Sequence, residues 1–94
     1  MNFECMLPGQ IEFEGLDEIH TLIRSGFEQA DTNGVIINCE AIKQVNSLLL
    51  AVLIEAINQS RSKSIKLKIT AVPEALYGFC GDANLVEVIR QFSD

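Results

Sequence analysis

Ninety-four residues with 48% hydrophobic and 21% charged side chains describe a globular chain, long enough to build a core without metals or disulfides. Thirteen acidic residues against seven basic ones leave a formal charge of −6. That balance argues against nucleic acid and against direct docking on anionic lipid, because both need a basic face. The longest unbroken apolar run, residues 48–54, is far too short to cross a bilayer.

Taken in order, Asn2 to Leu7 alternates, with Phe3, Cys5 and Leu7 on one side and Asn2, Glu4 and Met6 on the other, the pattern of a half-buried strand. This start has neither the basic residues nor the apolar centre of a signal peptide, and no leader is expected. Pro8-Gly9 marks a turn, after which Gln10 to Phe13 is expected as a second short strand returning beside the first. A helix follows over residues 16–30, with Leu16, Ile19, Ile23 and Phe27 on one face and Asp17 and Glu18 where the helix dipole favours negative charge. Residues 31–34, Asp-Thr-Asn-Gly, stop it.

Val35 to Cys39 is an apolar run between turn residues, expected as a central strand covered on both faces. The next helix spans Gln44 to Ser62, with Asn46 and Ser47 as candidate caps and Ser47 the expected N-cap. Leu50, Leu53, Ile54 and Ile57 have the spacing of one buried stripe, which leaves Leu48, Leu49 and Val52 either folded under the following loops as core or standing as surplus apolar surface at the helix tip. In the second case, charging Leu48 and Leu49 should leave the fold intact and remove a partner contact. Ser64 to Thr70 alternates again, with Ile65, Leu67 and Ile69 inward and Lys66 and Lys68 outward. Pro73 opens a third helix whose apolar side is Ala75, Leu76, Phe79 and Cys80, and Gly81 ends it. Leu85, Val86, Val88, Ile89 and Phe92 form a last element, helix or strand. The order β-β-α-β-α-β-α with a tail predicts an α/β domain over 1–94, a small mixed sheet with helices packed mainly on one face and a right-handed parallel crossover between the last two strands.

Catalytic apparatus is not visible, and no enzyme is expected. His20 has no serine, cysteine or carboxylate placed in sequence to complete a triad. Gly9, Gly15, Gly26 and Gly34 are isolated, so no phosphate-cradling loop is formed. Cys5, Cys39 and Cys80 share no metal-ligand spacing and read as reduced thiols of a cytoplasmic protein, with neither a metal nor a cofactor expected. Glu12, Glu14, Asp17 and Glu18 read as a solvated acidic face.

The succession Leu7-Pro8-Gly9-Gln10-Ile11, helix, VIINC strand, then Val45-Asn46-Ser47 at a helix start resembles the STAS domain family over almost the whole chain. That family includes anti-sigma-factor antagonists and small accessory subunits of transporters. Within it, Val45-Asn46-Ser47-Leu48-Leu49-Leu50-Ala51 with Val52-Leu53-Ile54-Glu55, and later Val72-Pro73-Glu74-Ala75-Leu76 and Asn84-Leu85, look most like the STAS subunit of Mla (maintenance of lipid asymmetry) phospholipid transporters. The resemblance implies a non-enzymatic adaptor, cytoplasmic and peripheral to the inner membrane, that binds the ATPase subunit of such an ABC transporter, with ATP held by the partner. It places the partner contact on Asn46, Ser47, Leu48, Leu49, Ala51, Val52 and Glu55; self-association through the same tip is an open alternative. The second reading is an anti-sigma-factor antagonist that binds a serine kinase, and a third is a scaffold for some other partner. In the switched antagonists the phosphate-accepting serine aligns with Leu48 and the neighbouring aspartate with Asn46, so the usual position has no hydroxyl, and Ser47 beside it is the candidate phosphorylation site.

Overall fold

The computed structural model describes residues 2–29 and 33–93. Three strands, β1 (Asn2–Met6), β2 (Gly34–Asn38) and β3 (Lys66–Thr70), form one sheet in that order, and both pairings are parallel. Helix α1 (Leu16–Glu28) connects β1 to β2, and α2 (Ser47–Lys63) connects β2 to β3. Two further helices, α3 (Glu74–Cys80) and α4 (Ala83–Phe92), follow β3.

The α/β class and the parallel crossover through α2 match expectation. The second strand does not: residues 10–12 are irregular and Phe13–Gly15 is a single 3-10 turn, so the described sheet is parallel throughout and not mixed. The physical reason lies in Ile11, which turns inward and is fully buried, while its carbonyl goes to a side chain of the next loop instead of a ladder. The α1 stripe is as read, with Ile23 and Phe27 buried and Leu16 and Ile19 packed against the core. The helix ends at Glu28, short of the expected end at Ala30, because Gln29 is already extended; Ala30 itself and the stop at Asp31-Thr32 lie outside the described residues.

Alternation along the strands decides which face carries helices. Cys5, Val35, Ile37, Leu67 and Ile69 are buried under α1 and α2, whereas Asn2, Glu4, Met6, Lys66 and Lys68 are exposed on the opposite face. Helices therefore cover one face, as expected. The reading of Val35 to Cys39 as covered on both sides is corrected: Ile36 points to the open face and is only half-buried, in register between Glu4 and Lys68. The aliphatic stems of such long charged side chains can shelter an apolar neighbour while their heads stay wet.

The last element is a helix. Asp82 caps α4 by accepting from the N–H groups of Asn84 and Leu85, and Gly81, at φ +67°, ends α3 in the left-handed region that glycine favours. Pro73 sits at the N-cap of α3, one residue earlier than read, and Phe79 is 49% exposed instead of contributing to the apolar side. Arg90 holds the two helices together, stacking 4.1 Å from the Tyr77 ring centre and reaching Glu74 at 4.0 Å. Ser93 bridges to Ile69 beyond the β3 edge, and the Arg61 guanidinium of α2 lies 5.7 Å from the ring of Phe92.

Close packing of α1 on β1 depends on Gly26. It is buried, and a methyl group there would overlap the ring of Phe3. Gly26→Ala is expected to destabilise the chain by about 2 kcal/mol, the usual range for overpacking. The penalty should shrink when Phe3→Leu is added; urea unfolding of the two single variants and the double variant measures this coupling.

Candidate binding surface at the start of α2

The C-terminal ends of the three strands deliver the chain to one end of the sheet, where parallel α/β sheets place their binding residues. Two loops there are tied together: Gly9 offers its carbonyl to the N–H groups of Lys43 (2.7 Å) and Gln44 (3.2 Å). Cys39 N–H donates to the Thr70 carbonyl at 2.9 Å, so the start of the β2–α2 loop is also fixed to the end of β3.

Asn46 completes the arrangement. It is the N-cap of α2, in extended conformation, and its Oδ1 accepts from the Leu49 N–H at 2.9 Å. Its Nδ2 donates to the Ile11 carbonyl, also at 2.9 Å. Ser47 is thus the first residue of the helix and not its cap, which corrects the expectation. Its side chain is exposed, and no acidic residue stands in the first turn of α2.

The buried stripe of α2 is rotated from the one read in sequence. It comprises Leu49, Val52, Leu53, Ala56, Ile57 and Ser60, whereas Leu50 and Ile54 are half-buried on the flank. Leu49 and Val52 are 0% exposed. They form core and not surplus surface, and a carboxylate at residue 49 would have to be buried unpaired. The shift has a physical source: α2 is apolar around most of its circumference, so composition leaves the choice of stripe to its neighbours. In the fold, where α2 packs against α1 and β3, the line through Leu49, Val52 and Ala56 faces inward. Of the residues expected at a partner contact, Ser47 and Ala51 are exposed, and Asn46, Leu48 and Glu55 are half-buried. Ser47, Ala51 and Asn58 lie along one solvent-facing line of the helix, with Leu48 and Glu55 beside it. Glu55 accepts from Gln59 Nε2 at 3.1 Å. Ser60 uses its hydroxyl within the fold, donating to the Ile65 carbonyl at 2.5 Å as the helix ends.

With this geometry in view, the chain matches the family model of the STAS domain over residues 5–94. The chain belongs to the STAS domain family. No curated protein and no solved structure matches it significantly. STAS domains are in general non-catalytic binding modules, and the match is to the family as a whole, with no subfamily singled out. Among the described residues, no helix is long and apolar enough to cross a membrane, and no cluster of histidine, cysteine or acidic residues could hold a metal ion.

Sequence reasoning missed two features of this STAS surface. One is the second hydrogen bond of Asn46, which connects residues 35 positions apart and leaves no local signal. The other is Phe13, which protrudes from the 3-10 turn with 78% of its surface exposed. The acidic residues on both sides of it, Glu12 and Glu14, were the available clue.

Cys5 and Cys39 are buried thiols on the helix-covered side. Burial pushes Cys39 up to about 11 from 9.0, with a smaller contribution from Cys5, and burial also raises Cys5. An unfolded Cys39 loses its proton first as pH rises, so the stability linked to the protonated thiol is complete below pH 9.0 and is lost toward about 11. The loss should reach about 2–3 kcal/mol at its limit. Urea unfolding under reducing conditions on either side of this window should show the decline, and Cys39→Ala should flatten it.

Asn46 yields a second expectation. Asn46→Asp retains the cap acceptor but sets a carboxylate oxygen against the Ile11 carbonyl, and Asn46→Ala loses both bonds. Each should cost about 1–3 kcal/mol in chemical denaturation. Hydrogen exchange should distinguish them, with Asn46→Asp loosening the loop before α1 more than the first turn of α2.

Proposed function

We propose that this STAS protein is a non-enzymatic adaptor. It binds the cytoplasmic ATPase subunit of an ABC transporter of the Mla phospholipid kind and supports the assembly or activity of that subunit. Family membership supports a binding module. The observation that carries the choice of surface is the exposed line of Ser47 and Ala51 at the start of α2, with Leu48 half-buried beside it. Small side chains there let another backbone approach the helix closely, and Leu48 adds apolar area at its margin. The transporter assignment rests on the likeness of residues 45–55 to the Mla accessory subunits. The chain would be cytoplasmic and would meet the membrane only through its partner.

Ser47 keeps the signalling reading in view, because its hydroxyl is exposed at a helix N-terminus, where added phosphate is electrostatically tolerated. Leu48 weighs against that reading, since it occupies the position of the phosphate-accepting serine in the switched antagonists.

Titration of the purified chain into the purified ATPase subunit of the transporter from the same cell is expected to show saturable one-to-one binding. Ala51→Arg should weaken it by about 30-fold, the loss of a central contact, without changing the thermal midpoint. Leu49→Asp should fail to fold, because it charges the core. Absence of binding by the unaltered chain, together with a mass gain of one phosphate at Ser47 after incubation with cell lysate and ATP, would replace this reading with the antagonist one.

A further inference from the structure

Phe13 is the most exposed of the large apolar side chains among the described residues, at 78%. Two features distinguish it from an incidental surface aromatic. Its loop is held rather than loose: Ile11 is buried two residues before it, Leu16 packs on the core three residues after it, and the Gly15 N–H closes the turn on the Glu12 carbonyl at 3.1 Å. The loop is also fastened to the start of α2, because the Ile11 carbonyl accepts from the Asn46 cap. Phe13 therefore belongs to the same end of the molecule as Ser47 and Ala51, in a fixed relation to them. An aromatic ring on a preorganised loop loses little conformational freedom when it is covered.

The surroundings specify what can cover it. Glu12, Glu14, Asp17 and Glu18 are all exposed, and none forms an ion pair among the described residues. An anionic lipid surface would be repelled by these carboxylates, which neighbour Phe13 in the chain. A second copy of the chain would bring two such acidic clusters together. A protein surface with an apolar pocket bordered by lysine or arginine suits both the ring and its charges.

We infer that the loop between β1 and α1 is an aromatic hook for the same protein partner that the start of α2 contacts. Phe13 enters an apolar pocket of that partner, and basic side chains at the pocket's mouth face Glu12, Glu14, Asp17 and Glu18. The inference rests on the reading that the α2 surface binds the ATPase subunit, and it adds the chemistry that subunit must present.

The test is calorimetric titration of the whole chain into the purified ATPase subunit at low and high salt, with Phe13→Ala, Glu12→Gln/Glu14→Gln and Ala51→Arg in parallel. Phe13→Ala should keep its thermal midpoint, because the ring makes little contact within the chain, and should bind about 30-fold more weakly, the loss typical of a central aromatic contact. The double glutamine variant should bind more weakly at low salt and show a shallower salt dependence than the unaltered chain. If Phe13→Ala binds within about threefold of the unaltered chain, well short of a central contact, while Ala51→Arg shows its expected loss of about 30-fold, the hook is overturned and the α2 contact stands. If the double glutamine variant matches the unaltered chain at every salt concentration, the basic pocket is overturned. Failure of the unaltered chain to bind overturns the ATPase reading and the hook with it.

Discussion

One carboxamide connects the two loops on which the candidate binding end of this molecule is built. Asn46 accepts from the Leu49 N–H and donates to the Ile11 carbonyl, so the first turn of α2 and the loop leading to α1 form one body. Only a side chain carrying both an acceptor and a donor can do this, and a carboxylate offers acceptors alone. The backbone bonds from Lys43 and Gln44 to Gly9 reinforce the same junction. The relative placement of Ser47, Ala51 and Phe13 follows from this junction.

Packing of α2 sets how much of the helix remains for a partner. The helix lies over the sheet and against α1, and its C-terminal turn meets Phe92 through Arg61. Its inner side, from Leu49 to Ser60, is committed to the core. What remains outward is narrow and made of small or polar residues, with Leu48 at its margin. Such a surface suits close approach by another backbone more than broad apolar burial. Phe13, outside the helix, is a large exposed side chain of a kind that this helix face lacks.

The two faces of the sheet divide the molecule's chemistry. One carries the helices and the buried aliphatic layer, and the other presents Glu4, Met6, Lys66 and Lys68 to solvent, with Ile36 half-buried among them. Parallel sheets are commonly covered on both faces. Here the open face is lined largely with charged and amide side chains, two of which pair in the bond from Asn38 Nδ2 to Glu4 at 2.9 Å. The candidate binding end stands apart from the polar face, at the strand termini, where the β2–α2 loop is tied to Gly9 and to the end of β3.

Residue patterning by itself determined the α/β class, β1, β2 and β3, the core stripe of α1 and the inward set of β3, because alternation and helical spacing are local properties; the family came from the resemblance of motifs in their order along the chain. It also located the start of α2 as the candidate site. Only the tertiary structure decided three things. It removed the strand expected at residues 10–13, because the buried Ile11 takes its partner from Asn46, 35 positions away. It rotated the buried stripe of α2 onto Leu49 and Val52, because a helix apolar on most sides acquires its orientation from what packs against it. It also turned Phe13 outward between inward-facing Ile11 and Leu16, since a 3-10 turn has neither the two-residue nor the 3.6-residue period from which exposure can be read. Each of these depends on contacts between segments distant in the chain, and a pattern within one segment carries no record of them.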